Sequence, residues 1–345
     1  MQGYLQNWYI QNKRDLPWRH TQDPYIIWLS EVILQQTRVV QGLPYFLKFS
    51  TTYPSIKDLA EAPLDDVMKL WQGLGYYSRA RNMHHTANLI YEKYGNSFPT
   101  SYEQMIALKG IGPYTASAVA SFAFNLPYAV LDGNVNRVLS RLFMVDEPIN
   151  SSKGKKIFES LSTEFLDINQ PAMHNQAIME LGALVCLPQN PKCAECPLNT
   201  FCAARMKNVA SEFPKKIKKQ KPRDRYFNYI FIKQNNQTFL NQRFEKDIWQ
   251  HLFEFPLIET KKKESLEEML PQLKTILDTD KINSISCTFE SKHQLTHQTI
   301  WADFWEIEIS KIKPQKEWLK IDLQEIKNYA VPRLLEKFLI KHNLQ

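Results

Sequence analysis

Four of the five cysteines in this 345-residue chain lie in one stretch, CLPQNPKCAECPLNTFC (186–202), separated by six, two and five residues. In a reducing compartment, thiols gathered in this way hold a metal more often than they cross-link. The spacing of Cys186, Cys193, Cys196 and Cys202 is neither the paired pattern of most structural zinc sites nor either ferredoxin pattern. An iron–sulfur cluster is the expected occupant, with a zinc knuckle or a disulfide framework as the alternative. Pro191 and Pro197 stop the segment from continuing as a helix, which suits a loop wrapped around a cluster. Cys287 stands apart and reads as a buried apolar residue.

Two carboxylates stand out next. From Tyr25 to Leu34 every residue but Ser30 and Glu31 is apolar. A helix apolar on nearly all faces is buried, and burial favours the protonated form of Glu31, the condition a general acid needs. A Glu that points out through a gap, or one paired structurally, fits the same stretch. Asp132, in AVLDGNVNRVLSRL, either caps the helix that follows or presents a fixed anion to a developing cation. In LKGIGPYTASAVASFAF, Gly110 and Gly112 mark a tight turn between two helical patterns. Such a turn aims backbone N–H groups at a phosphate and has the form of a helix–hairpin–helix, though a plain interhelical turn has the same glycines.

The elements that must position these groups are legible from patterning. Residues 1 to 206 read as helical, as in NVNRVLSRLF, where Val135, Val138, Leu139 and Leu142 recur at helical spacing. SEFPKKIKKQKPRDR (211–225) has seven basic residues in fifteen and two prolines, so residues 207–225 are expected to link two domains. Beyond it, RYFNYIFIKQNNQTFLNQR predicts a β-hairpin turning at QNNQ, and TIWADFWEIEI a further strand. Helical patterning returns at SLEEMLPQLKTIL and at the C-terminus, so an α+β domain over 226–345 is expected. The net charge of +7 tilts the chain toward polyanions without deciding anything alone. The N-terminal residues show no secretory pattern and no apolar run approaches a membrane span, so a cytoplasmic protein is expected.

Taken together, GIGPYT with Tyr114, Asp132 eighteen residues on, and the four-cysteine loop resemble the helix–hairpin–helix DNA glycosylases that bear a [4Fe–4S] cluster. LPWR, SEVILQQTRV, GLGYYSRARN, LDGNVNRVLSRL and NQAIMELGALVC narrow the resemblance to MutY-type adenine glycosylases, with weaker echoes at IWQHLFEFP and HQLTHQ. The resemblance implies a helical glycosylase region over 1–206, with its hairpin motif near 105–125, and a C-terminal Nudix-like domain that recognises 8-oxoguanine. It implies removal of adenine paired with 8-oxoguanine or guanine in duplex DNA, by a monomer associated with a bacterial nucleoid. Glu31 would protonate the base, Asp132 would stabilise the cationic sugar, and Glu31 and Asn134 would manage the water. A lysine at position 114 marks strand-cutting relatives. Tyr114 therefore implies a monofunctional enzyme, with its hydroxyl near Asp132 or the sugar, and Asn136 replaces another lysine found in some members. Arg14, Trp18, Arg19, Leu34, Gln176 and Met179 match the adenine pocket, Gln36 and Thr37 the contacts to 8-oxoguanine, and Tyr76 an aromatic wedge. Gly110 and Gly112 would hold the DNA backbone, and Thr296, in Leu295–Thr296–His297, would touch 8-oxoguanine. The metal-holding REUxEExGU helix of working Nudix hydrolases is not found between 250 and 285, so the C-terminal domain is expected to bind without hydrolysing. Two other readings stay open: an endonuclease III-like lyase acting on oxidised pyrimidines, and a non-catalytic lesion-binding scaffold.

Overall fold

A computed structural model describes residues 1–217, 221–278, 282–310 and 312–344. The chain forms two compact units, residues 1–61 with 82–218 and residues 62–81 with 219–345. Part of the expected linker, residues 218–220, lies outside the described residues.

The first unit is helical: α1 (Gln2–Asn12), α2 (Pro24–Leu34), α3 (Val39–Thr52), α4 (Ile56–Glu61), most of α6 (Ser78–Lys93), and α7 (Tyr102–Ile106) to α12 (Ala203–Met206). The short helix α5 (Leu64–Leu70) belongs to the second unit. Helix α2 starts where Asp23 accepts a hydrogen bond from Tyr25 N (2.8 Å) and Pro24 occupies the first turn, a strong start signal. Between α7 and α8 (Pro113–Phe124) the chain turns through Gly110, whose φ is +82°. A Cβ there would come within 2.6 Å of Asn82 Cβ, so conformation and space both demand glycine. Helix α9 (Gly133–Leu142) carries Val135, Val138, Leu139 and Leu142 into a core shared with Leu5 and Tyr9 of α1, Phe158 of α10 (Ser152–Phe165), and Ala177, Ile178 and Leu181 of α11 (Pro171–Leu184). Helices α1 and α9 both pack on α11, and α2 packs on α8.

In the second unit, β1 (Arg223–Lys233) lies between β4 (Leu257–Thr260), which it pairs antiparallel, and β6 (Gln298–Glu308), which it pairs parallel from Arg223↔Gln298 to Lys233↔Glu308. Strand β5 (Ser284–Gln294) closes the other edge antiparallel to β6. A second sheet has the order β3 (Phe253–Glu254), β2 (Gln237–Gln242), β7 (Leu319–Asp322). Residues Phe227–Ile232 are buried without alternation, as expected of a strand covered on both faces. One cover is α13 (Leu266–Leu277), whose Met269, Leu273 and Leu277 pack with Ile230, Ile232, Trp305 and Ile307. The other is α14 (Arg333–Lys341), whose Phe338 stacks on Phe304 at 4.7 Å.

The expected hairpin over residues 225–243 is corrected. Strands β1 and β2 share an isolated bridge, Gln234↔Gln237, and then diverge into different sheets. Periodicity located both strands, but the pairing depended on β6, whose paired residues lie seventy-five positions downstream and cannot be found from local pattern. Cys287 is likewise exposed on β5, not buried.

Candidate active site and cluster loop

Glu31 sits in the middle of α2 and is 6% exposed. Burial pushes its carboxyl from the ordinary 4.5 up to about 7, and the nearby Asp132 charge adds to this, while a hydrogen bond from the Tyr114 hydroxyl opposes it. That hydroxyl, in the first turn of α8, donates to Glu31 Oε2 at 2.6 Å. Its partner is thus Glu31 and not Asp132, because α2 lies directly against α8.

Asp132 does two jobs with two oxygens. Oδ1 accepts the Val135 N–H at 2.7 Å and caps α9, whereas Oδ2 accepts the Asn134 amide at 2.7 Å. Burial raises its carboxyl above the usual range, and the Val135 and Asn134 hydrogen bonds and the Arg137 charge oppose that rise. The bonds favour the anion, while Glu31, raised to about 7, is the readier proton carrier.

Both carboxylates line one cavity of about 800 Å³, together with Arg14, Trp18, Arg19, Leu34, Gln36, Thr37, Tyr114, Asn134, Gln176 and Met179. The structure therefore brings these twelve sequence-identified residues around a single space. Gly110, Gly112, Tyr76 and Thr296 do not line it. Gly112 caps the N-terminus of α8, where an added Cβ would meet nothing within 4 Å. Tyr76 and Thr296 belong to the second unit, where their hydroxyls are 3.1 Å apart. The Asn136 amide bonds back to Asp132 O at 2.9 Å.

Three residues of this site escaped the sequence reading. Glu180, 1% exposed, receives both Arg14 and Arg19, at 2.6 and 2.7 Å. Burial alone would raise its carboxyl, but the hydrogen bonds from the two guanidiniums prevail and hold it down to about 2. Glu180 is a lone carboxylate in the apolar run AIMELGAL, the same signal that singled out Glu31. Arg137 ties Asn134 Oδ1 (3.0 Å) and Gly182 O (2.6 Å) to Cys186 O (2.6 Å). Gly182 lets α11 approach: a Cβ there would meet Asn134 Cβ at 2.6 Å. Only the packing of α9 on α11 reveals the last two.

The four loop cysteines carry no disulfide and surround a small cavity of about 30 Å³ with Arg141, Lys192 and Arg205. Among the described residues, the only three potential ligands whose donor atoms all lie within 4.8 Å are Cys287, Glu290 and Asp303. In the loop, four thiols facing one space form a donor set that fits an iron–sulfur cluster. Arg141, 2% exposed, secures the loop through Leu187 O (2.7 Å) and Pro188 O (3.2 Å) and reaches Cys186 Sγ at 3.2 Å.

Comparison with known proteins agrees with this geometry. Residues 29–164 match the HhH-GPD superfamily of base excision DNA repair proteins, 186–202 the iron–sulfur binding domain of endonuclease III, and 228–341 the NUDIX domain. The cysteine loop is therefore a [4Fe–4S]-binding element. A solved thermostable thymine-DNA glycosylase covers 60% of this chain and 95% of its own at 28% identity and a TM-score of 0.55. An endonuclease III–DNA complex covers 60% of this chain and 94% of its own at 21% identity and a TM-score of 0.52, a likeness of fold. The adenine DNA glycosylase of Homo sapiens is 41% identical over 59% of this chain and 39% of its own. That of Buchnera aphidicola subsp. Baizongia pistaciae is 37% identical over 89% of this chain and 85% of its own. With a relative that similar over most of both lengths, and with the cluster loop and carboxylate site in place, the chain belongs to the adenine DNA glycosylase family.

Proposed function

We propose that this enzyme excises adenine paired with 8-oxoguanine or guanine by hydrolysing its N-glycosidic bond, leaving an abasic site in duplex DNA. The observation that carries the reading is that Glu31 and Asp132, in unlike environments, open onto one cavity of nucleotide size.

The stacked duplex hides its bases, so adenine must be extruded into that cavity at a cost of a few kcal/mol. Glu31, titrating at about 7, holds its proton over much of the neutral range and delivers it to a ring nitrogen, so the base departs neutral. Positive charge then gathers at C1′, and Asp132, already fixed by Val135 and Asn134, stabilises it without reorganising. Glu31, now anionic and supported by Tyr114, takes the proton of the attacking water alongside Asn134. Tyr114 offers no amine, so no Schiff base forms there and the strand stays whole. The Gln176 carbonyl accepts from the Tyr9 hydroxyl, which leaves its amide N–H groups for the adenine edge.

Gln36 and Thr37 would contact 8-oxoguanine, with Thr296 from the C-terminal domain, and Tyr76 would enter the base stack. That domain would bind without hydrolysing. The cluster, held by Cys186, Cys193, Cys196 and Cys202, would supply a rigid cross-link and no step of the reaction. Among the described residues no helix is long and apolar enough to cross a membrane; a monomer working on the nucleoid is the proposed setting.

The test is single-turnover base release from duplexes carrying A·8-oxoguanine, A·G or thymine glycol. Release of adenine from the first two, with no borohydride-trapped adduct, is expected. Loss of release with retained binding is expected for Glu31→Gln. Thymine-glycol excision with efficient trapping would refute the proposal.

A further inference from the structure

Residues 62–81 precede the C-terminal domain by well over a hundred residues, yet they belong to its compact unit. Five directed bonds join them to it. Gln242 Nε2 donates to Asp65 Oδ1 (3.1 Å), and Lys69 Nζ donates to Tyr329 O (3.0 Å). Val331 N donates to Gln72 Oε1 (3.4 Å), and Arg81 Nη1 donates to Gln250 O (2.8 Å). The Tyr76 and Thr296 hydroxyls form the fifth, at 3.1 Å. A cavity of about 260 Å³, lined by Lys69, Gln72, Tyr329 and Glu336 together with the apolar Ile326, Val331 and Leu339, lies along this seam. These directed bonds add to the apolar burial of Val67, Met68, Trp71 and Leu74 in the same segment, and unlike that burial they fix its orientation through individual side chains.

The segment so held ends in a strained turn. Tyr76 is 53% exposed with φ at 48°, between Gly75 at φ 73° and the start of α6. Arg79 donates to Gly75 O (3.1 Å), and its guanidinium lies 4.9 Å from the Trp71 ring and 5.7 Å from the Tyr76 ring. A non-glycine residue persists in this conformation only where its surroundings impose it, and such strain gathers at functional positions.

We propose that the C-terminal domain braces the wedge: Lys69, Gln72 and Arg81 are positioning residues that fix the 71–77 turn, so that Tyr76 enters the duplex at one depth and angle. The inference rests on Tyr76 being the wedge of the function proposed above. The domain thus has two tasks, reading the mispaired base and holding the intruding ring, and Thr296, bonded to the Tyr76 hydroxyl, takes part in both.

The experiment uses cluster-loaded, full-length protein and the double variant Lys69→Met/Arg81→Met. Wedge entry is read by the fluorescence of 2-aminopurine placed beside the mispair, and chemistry by single-turnover release from A·8-oxoguanine and A·G duplexes. The variant should lose at least half of the fluorescence rise. Both rates should fall together by about tenfold, as misplacement of a positioning group does, leaving their ratio unchanged. Thr296→Val, which removes a base contact as well as the hydroxyl partner of Tyr76, should change the ratio whatever it does to the fluorescence. In a Tyr76→Ala background the double variant should cost nothing further, and Arg81→Lys, which keeps a donor for Gln250 O, should restore most of the signal. An undiminished fluorescence rise, or an equal further loss in the Tyr76→Ala background, would overturn the brace. If the native protein inserts its wedge but releases no adenine, the functional reading fails while the fluorescence arm still decides the brace.

Discussion

The raised carboxyl of Glu31 makes folding stability depend on pH in a way that identifies the group. Its value moves from 4.5 to about 7 on folding. Between those limits the native state keeps a proton that the unfolded chain has released, so stability falls as pH rises, by about 1.4 kcal/mol per pH unit. The accumulated penalty is about 1 kcal/mol near pH 5.5 and about 3 kcal/mol near pH 8.5, where it levels off above the folded value. Glu31→Gln removes the titration, while its amide oxygen can still accept the Tyr114 hydroxyl. The variant should therefore gain about 2 kcal/mol on the native protein between those two pH values. Urea unfolding of the two cluster-loaded proteins, compared pairwise at each pH, measures the difference and cancels what they share. The same titration should set the alkaline limb of single-turnover adenine release, with a midpoint near about 7. Parallel stability profiles would mean that Glu31 ionises like an ordinary surface carboxylate, and the general-acid argument would fall with them.

Other outcomes follow from neighbouring contacts. Tyr114→Phe deletes a hydrogen bond that lowers the Glu31 pKa, so the alkaline limb should move to higher pH, which a rate profile would reveal. Glu180→Ala strands Arg19, and the half-exposed Arg14, without their carboxylate; a loss of about 3 kcal/mol in urea unfolding is expected. Gly182→Ala drives a methyl group into Asn134, and should slow base release while the cluster's visible absorbance stays intact. Cys196→Ser, in contrast, should lose that absorbance and lower the melting temperature.

How far the sequence alone reaches differs from residue to residue. The burial of Glu31 was legible because it is the one charge in a ten-residue apolar run, although the run alone left its role open, and the cysteine loop because its spacing is confined to seventeen consecutive positions. Helix α9 was legible because its apolar residues repeat at helical spacing, and all four turned out to be core. Glu180 could have been found by the logic that found Glu31. Arg137 and Gly182 could not, since their meaning arises only where α9 and α11 touch.

The C-terminal domain shows the same limit more sharply. Local patterning located its strands, yet β1 chose β6 over its neighbour β2, because pairing is decided by which buried faces meet. Residue type alone placed the isolated Cys287 inside, when a strand at the sheet edge leaves it exposed. Residue types and spacing, then, determined which chemical groups this chain brings, since two carboxyls and four thiols are properties of side chains. Tertiary structure decided which carboxylate the Tyr114 hydroxyl serves, which charges are paired, and which domain holds residues 62–81. Those outcomes depend on distance and desolvation, and neither exists until remote segments pack together.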